Sequence, residues 1–304
     1  MITFGEMTSQ VQAHLRSFVR DQEQSTHLVK DIEEMDLKLM VADSNLVSRG
    51  RIEIGSELLW VDKSIRGDNS LEIAPYGRGM DETKPTPHKK GDRVIVAPLY
   101  PRKFLQDTLN QTILQIGAQL YGVSQVRDVN GDPMITDPDG GFTYEMPGWV
   151  RDILSVTVTN PHMEDDITYL RDWTFDKNAP LAVSTTGKAL YLYDDWIGGN
   201  LQMTITASRD PLPLVREDQE FWETTLPSSA EDLPVLGAAA RLLASSDAYA
   251  VQTRSVEAAT VTSKVPPGAA QDQSKYLQAL FVQRLNEERM RLLNTHSTRS
   301  RYQR

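Results

Sequence analysis

Apolar residues recur at three- and four-residue steps in four stretches of the chain and run alternately or continuously in shorter stretches between them. The first helical stretch spans about Thr3 to Asp21. Met7, Val11, Leu15 and Phe18 form its stripe, and Thr3 and Glu6 have the spacing of a capping box. The polar "DQEQSTHLVKDIEEM" that follows reads as loop or frayed helix. Pro101 opens a second helix, since proline suits the first turn. Its stripe is Phe104 or Leu105, Leu109, Ile113, Ile116 and Leu120, and Gly122 is placed to end it in the left-handed conformation. "SSAEDLPVLGAAARLLASSDAYAV" predicts a third helix, with capping spacing from Ser229 to Asp232. Pro234 must then lie in its first turn, or the helix starts slightly later. A fourth helix runs from about Asp272 to Asn294, with Tyr276, Leu280, Leu285 and Leu292 among its apolar positions.

Between the helices the period shortens. "MDLKLMVAD", "GRIEIGSELLWVDK", "NSLEIAPY" and "DRVIVAPLY" predict four short strands, a small antiparallel sheet or barrel-like module. "ILSVTVT", "ALYLYD" and "LQMTITAS" predict a second β module, with turns at "TTGK", "DDWIGGN" and "RDPLPL". No segment alternates strand and helix as a parallel α/β sheet requires. The expected class is therefore α+β: a helical bundle of N-terminal, middle and two C-terminal helices, with two antiparallel β modules inserted. The expected segments are 1–30 (N-terminal helix), 31–100 (first β module), 101–122 (core helix), 123–228 (second β module), 229–296 (C-terminal helices) and 297–304 (basic tail).

Composition narrows the function. Hydrophobic residues make up 39% of 304 residues, a lean content that extended elements or neighbouring subunits must complete. There is no cysteine, which excludes disulfides, thiolate metal sites and cysteine nucleophiles. The net charge of −10 argues against a general nucleic-acid binder. The C-terminal end runs the other way, with Arg284, Arg289, Arg291, Arg299, Arg301 and Arg304 against Glu287 and Glu288. That asymmetry fits a negatively charged partner, protein or DNA, and equally a solvated terminus. The N-terminus does not read as a signal peptide, and no window has the roughly 18 apolar residues of a membrane span.

Motifs for chemistry are sparse. There is no Walker loop, no HExxH and no GxSxG. The five histidines, at 14, 27, 88, 162 and 296, are scattered without metal spacing. "DVNGDPMITDPD" places Asp128, Asn130, Asp132 and Asp139 at calcium-loop positions one, three, five and twelve. Pro133 occupies position six, where a glycine's positive φ is needed, so a hairpin turning at Asn130-Gly131 is the favoured reading and a metal site the weaker one. The acidic pairs Asp165-Asp166 and Asp194-Asp195 sit in turn-like contexts. These residues predict no catalytic centre and no cofactor.

One stretch is more specific. "GRIEIGSELLWV" and then "LEIAPYGRGMDETKPTPHKKGDRVIV" resemble a module recurrent in virion proteins of tailed bacteriophages. The positions that carry the likeness are Ile52, Ile54, Glu57, Arg78, Gly79, Thr83, His88, Gly91 and Val94, with Glu82 where many relatives carry glycine. His88 can pin such a loop to its own sheet, because its ring offers both a donor and an acceptor. With Pro147, Val150, Ile153 and Val156 leading into the second β module and "LP" followed by small residues before the C-terminal helices, nearly the whole chain resembles the head–tail connector, or adaptor, family. That resemblance implies a non-enzymatic ring, commonly dodecameric, in the virion neck and assembled in the host cytoplasm. It implies the portal protein and a stopper or tail protein as partners, DNA passing through without sequence readout, and no membrane. It also implies that the C-terminal segment, with Arg299, Arg301, Tyr302 and Arg304, docks on the portal. The alternatives are a baseplate or tail-tip structural protein that uses the same module, and a virion-associated hydrolase.

Overall fold

The computed structural model describes residues 2–16, 23–128, 131–136, 142–159, 167–193, 201–244 and 269–296. The expected helical bundle with inserted β modules is not what forms. Fourteen strands in three antiparallel sheets dominate the described residues, with four helices beside them. The physical reason lies in the cores. Two clusters of buried apolar side chains are built wholly from strands and the segments flanking them. The helical periodicity is real, and apolar helix positions such as Met7, Leu109 and Leu285 are buried, but none of them belongs to these two clusters.

The helices are α1 (Phe4–Arg16), α2 (Arg102–Ile116), α3 (helical over 233–244) and α4 (Ala269–Thr295). α2 follows its predicted stripe. Leu105, Leu109, Ile113, Ile116 and Leu120 are all buried, while Phe104 is about half exposed. Its first backbone N–H, on Arg102, donates to the buried Glu53 carboxylate, so a side chain from another element satisfies an orphan donor at the helix start. α3 begins at Leu233, with Pro234 in its first turn, after a short 3₁₀ turn at Ser228–Ala230. In α4 the buried seam is Ser274, Leu277, Leu285, Glu288 and Leu292, and Tyr276 faces outward.

The chain divides into two compact units. One comprises Glu6–Asn110 and Val235–Gln278. Its six-stranded sheet has the order β1-β6-β3-β4-β5-β2. The strands are β1 (Ser25–His27), β2 (Lys38–Met40), β3 (Gly50–Ile54), β4 (Glu57–Ile65), β5 (Ser70–Ile73) and β6 (Arg93–Val96). Six strands replace the four expected. "GRIEIGSELLWVDK" is a two-strand hairpin, in which Ile54 pairs with Glu57 and Gly55 takes φ +61 at the turn. β1 lies in the polar stretch that reads as loop. Just beyond β1 and β2, Leu28 bridges Val41, and the Val29 and Ala42 N–H groups bond to the Met40 and His27 carbonyls. The two outer strands thus meet and the sheet curls on itself, which leaves little free edge. Leu39, Ile52, Ile54, Leu59, Val61, Leu71 and Val94 fill the interior.

The other unit comprises Met1–Gly5, Gln111–Pro234 and Ala279–Arg304. Its larger sheet has the order β11-β10-β14-β7, with β8 also against β14. These are β7 (Gly122–Val126), β8 (Met134–Ile135), β10 (Asp152–Thr159), β11 (Ile167–Tyr169) and β14 (Gln202–Arg209). A three-stranded sheet, β12-β13-β9, contributes to the same core from β9 (Thr143–Glu145), β12 (Trp173–Asp176) and β13 (Ala189–Leu192). Alternation on β10, past its bulge between Ile153 and Ser155, and on β14 sends Val156, Val158, Met203, Ile205 and Ala207 inward. Thr157 pairs with Thr204, Thr159 with Gln202 and Ser155 with Thr206 on the opposite face.

Gly122 does not cap α2, which ends at Ile116; it opens β7. Glycine is needed there for space, because a Cβ would collide with the Thr225 side chain and lie 2.9 Å from the Thr225 carbonyl oxygen. Thr225 is itself held at φ +69 and cannot easily yield. Gly122→Ala should therefore destabilise the chain by about 1–3 kcal/mol, measured by urea unfolding, whereas a helix-capping role would predict a strained φ that this residue does not have.

Candidate functional site

The residues of the phage-like module converge on one carboxylate. Glu57 is the first residue of β4, directly after the Gly55-Ser56 turn, and its side chain is fully buried. Arg78 approaches it bidentately, with Nε 2.7 Å from Oε1 and Nη2 3.0 Å from Oε2. The backbone N–H groups of Gly79 and Thr86 donate to the same two oxygens, each at 3.1 Å. His88 Nε2 lies 2.8 Å from Oε2.

Arg78 is equally committed. Its remaining N–H groups donate to the carbonyls of Glu33 (2.8 Å), Asp36 (3.0 Å) and Thr86 (2.8 Å). All five guanidinium donors are used. Burial alone would push the Glu57 carboxyl up. The hydrogen bonds from His88, Arg78 and the Thr86 backbone outweigh it and hold the group at about 2. Glu57 is therefore an ionised, acceptor-only group, and His88 must donate through Nε2. His88 Nδ1 lies 3.9 Å from Asp92, too far for a hydrogen bond.

The excursion from Tyr76 to Lys90 is shaped around this centre. Gly79 sits at φ +64, and a Cβ there would come within 2.7 Å of the Pro85 ring. The Thr83 hydroxyl accepts from the Leu58 N–H and donates to the Met80 carbonyl. Ile32 and His88 exchange backbone hydrogen bonds at 2.9 and 3.0 Å. Asp81 and Glu82 both take left-handed conformations, at φ +51 and +64. Glu82 thus holds the backbone shape that glycine supplies without steric cost.

Chemically, this arrangement braces a loop. Every donor of Arg78 and both oxygens of Glu57 are spent inside the module. The histidine acts as the loop pin expected of it.

The other predicted sites are dispersed. Asp128 Oδ1 accepts from the Asp132 N–H at 2.7 Å, the Asp128 N–H donates to the Asp132 carbonyl at 2.9 Å, and Arg127 bridges Pro133. That carboxylate closes a tight reversal. Asn130 and Asp139 lie outside the described residues, as do Asp165, Asp166, Asp194, Asp195 and His162. Arg299, Arg301, Tyr302 and Arg304 also lie outside them. Among the described residues, no three acidic or histidine side chains are grouped to hold a metal ion.

Two polar clusters have only faint sequence signals. Glu145 receives the Thr185 hydroxyl, the Thr186 and Thr185 N–H groups and the Ser184 hydroxyl, and these bonds, the Thr185 hydroxyl first, lower its pKa. The "TTGK" turn was the visible trace. Arg284 joins Asp232 (2.9 Å), the Ser229 carbonyl, Glu287 and the buried Glu288, while the Ser229 hydroxyl donates to Glu288 at 2.6 Å. Ser229 and Asp232, whose spacing suggests a cap, are used instead to fasten α4.

Glu57→Gln should cost about 3–5 kcal/mol of stability, because it leaves Arg78 buried without its counter-charge. The pH dependence has a definite sign. A carboxyl lowered on folding contributes stability that is full above its unfolded value near 4.5 and is lost as pH falls toward 2. Urea unfolding between pH 5 and 2 should show the wild type losing on the order of 3 kcal/mol that the Gln variant does not lose. Glu82→Gly should raise stability by about 0.5–1 kcal/mol, since relief of the left-handed strain exceeds glycine's entropy cost. A lower thermal midpoint for that variant would contradict the strain.

The sequence matches no protein-family model and no curated protein, so the chain's placement rests on its own residues and their geometry.

Proposed function

We propose that the chain is a non-enzymatic structural protein of a tailed-phage virion, and within that class a head–tail connector. The observation that carries this reading is the Glu57–Arg78–His88 staple. It is assembled from the positions of the recurrent virion module, and it spends its chemistry on holding a loop. In this reading, copies of the chain form a closed ring in the neck between the portal and a stopper or tail protein. A heterologous contact that closes by rotation makes such a ring. The genome passes through without sequence readout. The segment with Arg299, Arg301, Tyr302 and Arg304 docks on the portal, because Arg and Tyr favour interface hot spots and the segment carries no acidic residue. Among the described residues no helix is long and apolar enough to cross a membrane.

The predominance of antiparallel sheet over helices favours a second reading, a baseplate or tail-tip structural protein.

Electron micrographs and native mass spectrometry of the full-length protein, alone and with purified portal, test the proposal. Closed rings that stack coaxially on the portal are expected. Truncation after Asn294 should weaken portal binding at least tenfold without unfolding the chain. Monomers under both conditions would overturn the connector reading, and rings that ignore the portal but join tail-tip proteins would favour the second.

A further inference from the structure

We infer that the outer face of the five-stranded sheet, with its β11 edge, is where one copy of the chain meets the next. This rests on the ring reading and names the surface the ring would use. On the face opposite Val156, Val158, Met203 and Ile205, the two central strands present Ser155, Thr157 and Thr159 on β10 and Gln202, Thr204 and Thr206 on β14. Gln125 on β7 extends the row beyond Thr206. Asp152, at the start of β10 and ion-paired with Lys177, marks the charged end of this face. From Ser155 to the β11 edge none of these positions carries a charge, in a chain where charged residues make up 24%. Solvent-facing positions of an antiparallel sheet are where charges normally collect.

The edge of this face is only lightly guarded. Among the described residues, β11 pairs only with β10. The Leu170 N–H donates to the Val156 carbonyl. That phase turns the backbone N–H and C=O groups of Ile167 and Tyr169 away from β10. Their side chains are 58% and 64% exposed. Edge strands are usually protected by shortness, Lys, Pro, an inward charge or a bulge; β11 is short, at three residues, and carries none of the others.

Charge selects the occupant. Two copies each carry −10 and repel through most of their surfaces. Surface without charge is where that repulsion is least. Nucleic acid would need Lys or Arg on the face for phosphate contact, and none is there. A lipid surface would need an apolar or basic face, and this one is mostly hydroxyl and amide. A partner rich in basic groups would gain more from an acidic surface. A second copy of this chain is the partner that gains most from an uncharged, wet contact of Thr and Gln, opened at one side by Ile167 and Tyr169. Four strands about 4.8 Å apart give a face of roughly 350 Å², less than the ~800 Å² per partner of a standard interface, so it forms the centre of a larger contact.

The test uses the full-length chain. Gln202→Glu with Gln125→Glu places charge at two exposed positions of the face, not paired with each other, in every copy. Native mass spectrometry and light scattering should show assembly weakened at least a hundredfold, with the circular dichroism spectrum and melting temperature near those of the wild type. Thr143→Glu, on the other sheet of the same unit, should leave assembly unchanged. A second readout exploits the absence of native cysteine. The thiol introduced by Thr204→Cys should react with a maleimide at least tenfold more slowly in the assembled protein than after dilution to monomer. Rings that persist with both glutamates in place, or a thiol that reacts equally fast in both states, would overturn the assignment of this face and leave the connector reading standing. Equal disruption by Thr143→Glu would also overturn it. A wild-type chain that stays monomeric at high concentration, with portal present, would overturn both.

Discussion

The curled β module depends on taking one carboxylate out of water. Isolated, a buried carboxylate is expensive, and pairing it with an equally buried guanidinium often only breaks even against well-packed apolar groups. The arrangement around Glu57 works because neither charged partner is left unsatisfied: Arg78 uses all five donors, and the carboxylate takes two backbone N–H groups and a histidine besides. The gain is in specificity. The segment at Glu33–Asp36, the start of β4 and the excursion through Thr86 and His88 can take only one mutual arrangement if every bond is to be made. A register slip of one residue on β4 would strand the charge.

The same constraint explains how the long excursion tolerates unfavourable backbone. Asp81 and Glu82 are left-handed without being glycine, and prolines at 85 and 87 forgo two backbone donors. Such strain persists only where the surroundings over-determine the conformation. Here the Thr83 hydroxyl and the Ile32–His88 bridge fix the segment on both sides of the strained pair.

Much of the local structure was legible in the sequence, and the architecture was not. The α2 stripe, the β10 and β14 alternation and the pinning role of His88 could be read from spacing and residue type, since each depends on neighbours close in the chain or on a single side chain's chemistry. The error lay in which elements build the cores. Periodicity shows that a helix has an apolar face but does not say how much of the interior that face supplies, so four good helices looked like a bundle. β1 leaves no trace in the sequence because "STH" has no apolar alternation; it is a strand by virtue of its partner β6 and the closure at Leu28. The role of Gly122 is equally hidden, because the atom it makes room for, on Thr225, is about a hundred residues away. The centre on Glu57 was traceable only as a resemblance: the residues were recognisable, while their convergence spans separations of 21 to 31 residues that no local pattern encodes.

The pairing of β1 with β6 has a consequence for how such a module travels between proteins. The two strands run antiparallel with Ser25 opposite Ile95, and the Val96 N–H bonds to the Gln24 carbonyl. The chain therefore enters and leaves the module at one spot, side by side. With its own core, little free edge and adjacent ends, the module has the form of a cassette. It could be spliced into a loop of an unrelated host protein without prising that loop apart, much as domain insertions succeed wherever the inserted ends are close.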